Sequence, residues 1–238
     1  MVRFVLSETS HSGNLGGAAR ALKTMGFQHL GLVAPRCAID ATAHALASGA
    51  DDVLQGATRY PDLDAALADC VYTVAATARP REHSPEVSDA RAAALRLAEA
   101  AARGPVALVF GNETSGLSNR DIQRCDALAH IPANPAYSSL NLAAAVQVFA
   151  YEMRMACGAS VPAAAGDADR AATRGEVEML LLHAEQVLGQ IGFFDPRNPK
   201  RLLQRLRRLA SRARLENEEV NILRGVLNWV ARPPSGRA

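Results

Sequence analysis

Short apolar runs alternate with helical periodicities over the first two-thirds of the chain. Val2–Leu6, His29–Ala34, Val71–Ala76, Val106–Phe110 and Ala127–Ile131 are mostly apolar and lack polar alternation. That is the pattern of strands covered on both faces of a parallel sheet. Between them, Ala18, Ala19, Leu22 and Met25 predict one helix. An alanine-rich stretch from Asp89 to Arg103, closed by Gly104-Pro105, predicts another. A last helix over about Leu140–Met155 places Leu142, Val146, Phe149 and Met153 on one face. The alternation predicts an α/β domain with a mostly parallel sheet over residues 1–157.

The pattern then breaks. Residues 158–175 are small, with Pro and Gly and no large apolar side chain, and read as a linker. Over residues 176–232 the period is purely helical. Val177, Leu180, Leu181, Ala184, Val187, Leu188 and Ile191 mark one helix. A second runs from Asn198-Pro199 to about Arg214, and Val220, Leu223, Val226, Leu227 and Val230 mark a third.

With 238 residues and 49% hydrophobic side chains, the chain can bury a sizeable core, which excludes wholesale disorder. No stretch approaches the roughly 18 consecutive apolar residues of a membrane helix, and the first apolar run is too short for a signal peptide. The expected location is therefore cytoplasmic, with no membrane partner. Cys37, Cys70, Cys125 and Cys157 lie far apart without a C-x-x-C pair, so neither zinc nor disulfides are expected.

The net charge of +2 is unevenly spread. Residues 1–157 hold 13 Lys+Arg against 15 Asp+Glu, and residues 158–238 hold 13 against 9. In the second predicted helix of the extension, Arg201, Arg205, Arg208 and Arg212 follow spacings of four, three and four and so line one face. Leu202, Leu206, Leu209 and Ala213 form the neighbouring stripe, expected to pack. No acidic residue interrupts Arg197–Arg214, although solvated faces usually mix signs. Arg205, Arg208 and Arg212 are therefore candidate contacts to nucleic-acid phosphates.

Three segments could carry chemistry. The first, His11-Ser12-Gly13-Asn14-Leu15-Gly16-Gly17-Ala18-Ala19-Arg20, joins the first strand to the first helix. Its glycines permit tight turning and close approach of backbone to a ligand. They are wrongly spaced for the dinucleotide fingerprint, and no acidic residue follows the second strand, so a Rossmann dehydrogenase fits poorly. The second, Leu108 to Ser118, ends a strand in a glycine-bounded loop carrying Glu113. Ser118 then caps a short helix with Asp121 in its first turn. Such loops, at the carboxyl ends of parallel strands, are where open α/β sheets bind ligands. The third, Ile131 to Asn141, sets two prolines, two asparagines and two serines before an apolar helix. No Ser-His-Asp or Cys-His set emerges. His11, His29, His44, His83, His130 and His183 stand in uninformative contexts and read as solvated or packed.

Together H-S-G-N-L-G-G-A-A-R-A-L-K-T-M-G, L-V-F-G-N-E-T-S-G-L-S and I-P-A-N-P-A-Y-S-S-L-N-L-A-A-A-V-Q resemble the three ordered motifs of the SPOUT class of S-adenosylmethionine-dependent RNA methyltransferases. The likeness spans residues 1–157. It is strongest to bacterial members that 2′-O-methylate tRNA nucleotide 32, whose tail the run R-L-R-R-L-A-S-R-A-R-L-E-N-E-E-V-N-I-L-R-G also resembles. The resemblance implies a parallel sheet with a deep C-terminal trefoil knot, a rare connectivity that composition could not reveal. It also implies a homodimer, with the apolar face of the Leu142–Met153 helix as a contact. The cofactor S-adenosylmethionine would be cradled by Ala76, Thr77, Ala78, Gly111, Ile131, Ser138, Ser139 and Leu140.

The resemblance assigns catalysis to Arg20. A guanidinium stays protonated, so Arg20 is read as orienting the ribose 2′-oxygen or a phosphate and stabilising developing negative charge. Ser139 would fix the same geometry by hydrogen bonding. Arg79 and Arg81, after a strand end, would clamp phosphates, and Glu113 is a further candidate substrate contact. Asn112 and Thr114 flank Glu113 where relatives often carry more basic residues. The expected activity is 2′-O-methylation of a tRNA ribose, cytidine or uridine at position 32. The rivals are a non-catalytic RNA-binding protein of the same fold and a methyltransferase acting on another RNA, such as ribosomal RNA.

Overall fold

The computed structural model describes residues 1–78, 86–158, 170–193 and 201–232. The chain divides into two compact units, Met1–Ala165 and Gly166–Ala238.

The first unit is built on a seven-stranded sheet. In chain order its strands are β1 (Val2–Ser7), β2 (His29–Val33), β3 (Thr58–Tyr60), β4 (Tyr72–Ala76), β5 (Glu86–Asp89), β6 (Val106–Phe110) and β7 (Ala127–His130). They lie side by side as β3-β2-β1-β6-β4-β7-β5, every pairing parallel. The five strands expected from apolar runs are all present. The two unexpected ones, Thr-Arg-Tyr and Glu-Val-Ser-Asp, are the sheet's edges, where a strand meets only one neighbour and needs no continuous apolar run. β7 enters between β4 and β5, both earlier in the chain, in keeping with the knotted connectivity implied by the motifs.

Seven helices belong to this unit's described residues: α1 (Ser12–Thr24), α2 (Ala41–Ala47), α3 (Asp51–Gln55), α4 (Leu63–Leu67), α5 (Ala90–Ala101), α6 (Asn119–Gln123) and α7 (Leu142–Ala156). Asp40, Asp62 and Asp89 cap α2, α4 and α5. The expected Ser118 cap of α6 is a full capping box with Asp121. The short helices α2 to α4 lack the length for a periodicity to be read.

The core joins sheet to helices through aromatic contacts. Phe4 stacks on Phe110 at 6.3 Å, and Phe110 meets Phe149 edge to face at 5.5 Å. This corrects one expectation. Leu142, Val146, Phe149 and Met153 of α7 are buried within their own chain. That stripe packs within its own chain, so these four residues are not available to a partner.

In the second unit, α8 (Arg174–Gln190), α9 (Leu202–Ala213) and α10 (Asn217–Val230) enclose a small core of Ala172, Val177, Leu180, Leu181, Ala210 and Val220. Thr173 and Glu176 form the capping box of α8. Residues of the stretch read as a linker also pair here. Ala172 N–H donates to Leu215 C=O at 2.9 Å, and Asn217 N–H to Arg170 C=O at 3.0 Å. On α9 the packed stripe runs through Leu206 and Ala210. Leu209 is 53% exposed and Ala213 is also exposed, contrary to expectation. Arg207, on the side of α9 next to Leu206, forms a bidentate pair with Glu178 of α8 at 2.6 and 2.7 Å. Among the described residues, no helix is long and apolar enough to cross a membrane.

Candidate active site at the carboxyl ends of the strands

The row β1-β6-β4-β7 ends in the loops that carry the three motifs. Ala76, Gly111 and Ile131 terminate or directly follow β4, β6 and β7, which are adjacent and parallel, so the three lie side by side. Thr77 N–H donates to Ala129 C=O at 2.9 Å, holding the β4 end against β7.

After β6 the loop turns back on itself. A Cβ on Gly111 would stand 2.2 Å from Gly116 and Leu117 backbone atoms, and Gly116 adopts φ +67°. Only glycine permits that closure. Asn112 pins the loop by donating from Nδ2 to Glu8 C=O at 2.7 Å and accepting from Thr114 N–H at 2.9 Å. The turn drives Glu113 under the start of α1. Its Oε2 accepts from Ser10 N–H at 3.0 Å and Ser10 Oγ–H at 2.8 Å. Its Oε1 accepts from Asn14 Nδ2 at 2.8 Å and His11 N–H at 3.3 Å. Burial opposes ionisation, yet the donations from Asn14 and Ser10 outweigh it and hold this carboxyl at about 2. Glu113 is thus an ionised anchor of the α1 entry, and both its oxygens are occupied from within the chain.

The wiring continues to the third motif. Asn14 Oδ1 accepts from Asn141 Nδ2 at 2.9 Å, while Asn141 Oδ1 caps α7 by accepting from Ala143 N–H at 2.9 Å and Ala144 N–H at 3.3 Å. One continuous chain of hydrogen bonds therefore joins all three motifs. Two glycines of the first motif permit close helix packing, and Gly13 and Gly17 also line the cleft described below. A Cβ on Gly16 would lie 2.0 Å from Ala43 O of α2, and one on Gly17 2.8 Å from Ala143 Cβ of α7.

These loops border a cleft of about 710 Å³, lined by His11, Asn14, Arg20, Glu113, Tyr137 and Ser139, with Leu140 and the start of α7. Of the residues expected from the sequence, the cleft brings together Arg20, Glu113, Ser139 and Leu140. Ala76, Thr77, Ala78, Gly111, Ile131 and Ser138 do not line it; the first five belong to the strand ends. Arg79 and Arg81 lie outside the described residues. Arg20 is exposed, and no hydrogen bond ties its guanidinium to another described residue. In the second unit Arg205, Arg208 and Arg212 are exposed along one face of α9. Sequence reasoning missed Ser10, Asn14 and Asn141 as organisers of the site. Asn14 and Asn141 lie inside the motifs, but no spacing rule connects residues 127 positions apart.

The sequence that builds this site has counterparts in known families. A family model, the SpoU rRNA Methylase family, matches residues 1–151. The chain belongs to the SpoU methylase family. Its SpoU domain is followed by a match to the tRNA methyltransferase TrmJ C-terminal domain over residues 175–237. A relative from Cronobacter sakazakii, named tRNA (cytidine/uridine-2′-O-)-methyltransferase TrmJ, is 46% identical over 230 residues, 95% of this chain and 94% of its own. The crystal structure of TrmJ from Z. mobilis ZM4 matches with a TM-score of 0.84 at 33% identity, covering 98% of this chain and 100% of that one. A probable methyltransferase from Bordetella pertussis Tohama I is 48% identical with a TM-score of 0.61, covering 66% of this chain and 95% of its own. The α/β fold with its parallel sheet is that of the SPOUT class.

Proposed function

We propose that this protein 2′-O-methylates the ribose of a tRNA nucleotide, cytidine or uridine at position 32, in the cytoplasm, with S-adenosylmethionine as methyl donor. The single observation that carries this reading is the 46% identity, over 95% of the chain, to a relative named as a tRNA (cytidine/uridine-2′-O-)-methyltransferase. The hydrogen-bond chain Glu113–Asn14–Asn141 fixes three loops around a cleft holding Arg20 and Ser139. In-line displacement at a methyl carbon depends on such positioning.

The strand-end residues fit the donor. Ala76, Thr77, Ala78, Gly111 and Ile131 offer a row of backbone, and the N–H groups of Ser138, Ser139 and Leu140 have no backbone acceptor among the described residues. S-adenosylmethionine, when bound, supplies a methyl group activated by a positively charged sulfur. Ser139 orients the ribose by hydrogen bonding, and Arg20 stabilises negative charge developing on the 2′-oxygen. Arg79 and Arg81 hold flanking phosphates. Arg205, Arg208 and Arg212 supply sequence-independent tRNA affinity.

The protein acts as a homodimer through the outward side of α7. Ala144, Val148, Tyr151 and Met155, spaced four, three and four, form an apolar stripe there, with Tyr151 47% and Met155 56% exposed. The decisive experiment maps 2′-O-methyl groups by mass spectrometry in tRNA from a strain lacking this protein. Loss at nucleotide 32, restored by the purified enzyme, is expected. Retention at 32 with loss elsewhere would reassign the substrate, and no loss anywhere would leave a non-catalytic RNA-binding role.

A further inference from the structure

We propose that His11 is the proton acceptor for the ribose 2′-hydroxyl, held in the competent tautomer by a Glu113–Ser10–His11 relay. The inference rests on the methyl-transfer reading above and names the residue that removes the proton.

Hydrogen counting sets the tautomer. The Ser10 hydroxyl has one hydrogen, and it goes to Glu113 Oε2 at 2.8 Å, because an ionised carboxylate can only accept. Ser10 Oγ also lies 3.0 Å from His11 Nδ1. With its hydrogen already committed, Ser10 Oγ must accept at this contact, so Nδ1 carries a hydrogen. Glu113 Oε1, 3.7 Å from Nδ1, favours the same arrangement electrostatically. Nδ1 is therefore protonated whether the ring is neutral or cationic. Nε2 is left as the nitrogen that gains and loses a proton, which is what a general base requires. A base oriented by a polar partner that is itself held by a carboxylate is a recurrent catalytic arrangement.

The other cleft-lining groups do not serve. Arg20 is a permanent cation. Both Glu113 oxygens already accept hydrogen bonds. The Tyr137 phenol borders the cleft without a side-chain hydrogen bond among the described residues to orient it. The His11 side chain is 72% exposed and so accessible to substrate. His11 is the N-cap of α1 and Arg20 lies within that helix, and both line the same cleft. A ribose bound in that cleft would meet both, Arg20 stabilising the oxygen and His11 taking its proton. In the balanced step the 2′-O–H proton moves to Nε2. The freed electron pair forms the C–O bond to the methyl carbon, and the C–S pair returns to sulfur as a neutral thioether. The imidazolium then loses its proton to water.

Two measurements test this. Nitrogen-15 NMR of the histidine-labelled, ligand-free protein should show His11 as the Nδ1–H tautomer, with Ser10→Ala disturbing that state. Single-turnover transfer to undermethylated tRNA should fall about 10²–10⁴-fold in His11→Ala, recover with added imidazole, and lose the acid limb of its pH profile. Calorimetric affinity for S-adenosylmethionine should stay within twofold. The Nε2–H tautomer in the wild type would overturn the proposal. So would full activity in His11→Ala, or loss of the acid limb in Tyr137→Phe instead. Failure of the wild-type enzyme to methylate any RNA would sink the functional reading itself, which the NMR result does not depend on.

Discussion

At the residue scale, Glu113 organises the site by remaining charged. Its carboxyl sits at about 2 against an ordinary 4.5, because four donors favour the anion more than burial disfavours it. A depressed folded-state value contributes stability that is complete above about pH 4.5 and is lost as the pH falls toward about 2. Glu113→Gln should therefore cost on the order of 2 kcal/mol at neutral pH, with the gap to wild type closing through that window. Denaturant midpoints measured from pH 7 downward read it directly, and a pH-independent gap would contradict the assignment. The sequence made Glu113 conspicuous as one carboxylate in a glycine-bounded loop. It could not reveal that the partners of this carboxylate are Ser10, His11 and Asn14, about a hundred positions away.

At the element scale, α1 is placed by its missing side chains. Gly16 lies in a helix, where alanine would ordinarily gain about 1 kcal/mol over glycine. Here an added Cβ would meet Ala43 O at 2.0 Å, and a backbone carbonyl cannot swing aside as a side-chain end can. The clash should win, so Gly16→Ala should destabilise by about 3 kcal/mol or more, visible as a lowered thermal midpoint. Methyl transfer should also fall, because α1 carries both Asn14 and Arg20. A stabilised variant would show that α2 readily yields. The helix itself was readable from its periodicity, whereas the reason for its glycines was not. A sequence shows where backbone could approach closely, but it does not say whether the visitor is a ligand or another helix.

At the scale of the whole molecule, two surfaces carry the remaining expectations. Tyr151→Asp would place a charge in the outward stripe of α7, at a cost of several kcal/mol if a partner covers it. Light scattering should then report monomers, and an unchanged dimer would move the interface elsewhere. On α9, replacing Arg205, Arg208 and Arg212 with alanine should weaken tRNA binding and reduce its salt dependence by about one unit of slope per lost phosphate contact. Affinity for S-adenosylmethionine should not move. Unchanged tRNA affinity and slope would leave the helical unit a structural role.

Periodicity alone determined the parallel α/β domain, the helical extension and the arginine face of α9, because strand and helix repeats are local and written in consecutive residues. Ordered motifs added the family likeness. Tertiary structure alone decided that the apolar face of α7 is buried in its own chain, that Leu209 is exposed, and that polar edge strands complete the sheet. It also turned His11 from an isolated histidine into one oriented by Ser10 and Glu113. The physical reason is range. Hydrogen bonds and close packing act over about 3–4 Å, and only the fold brings Asn14, Glu113 and Asn141 within that distance of one another.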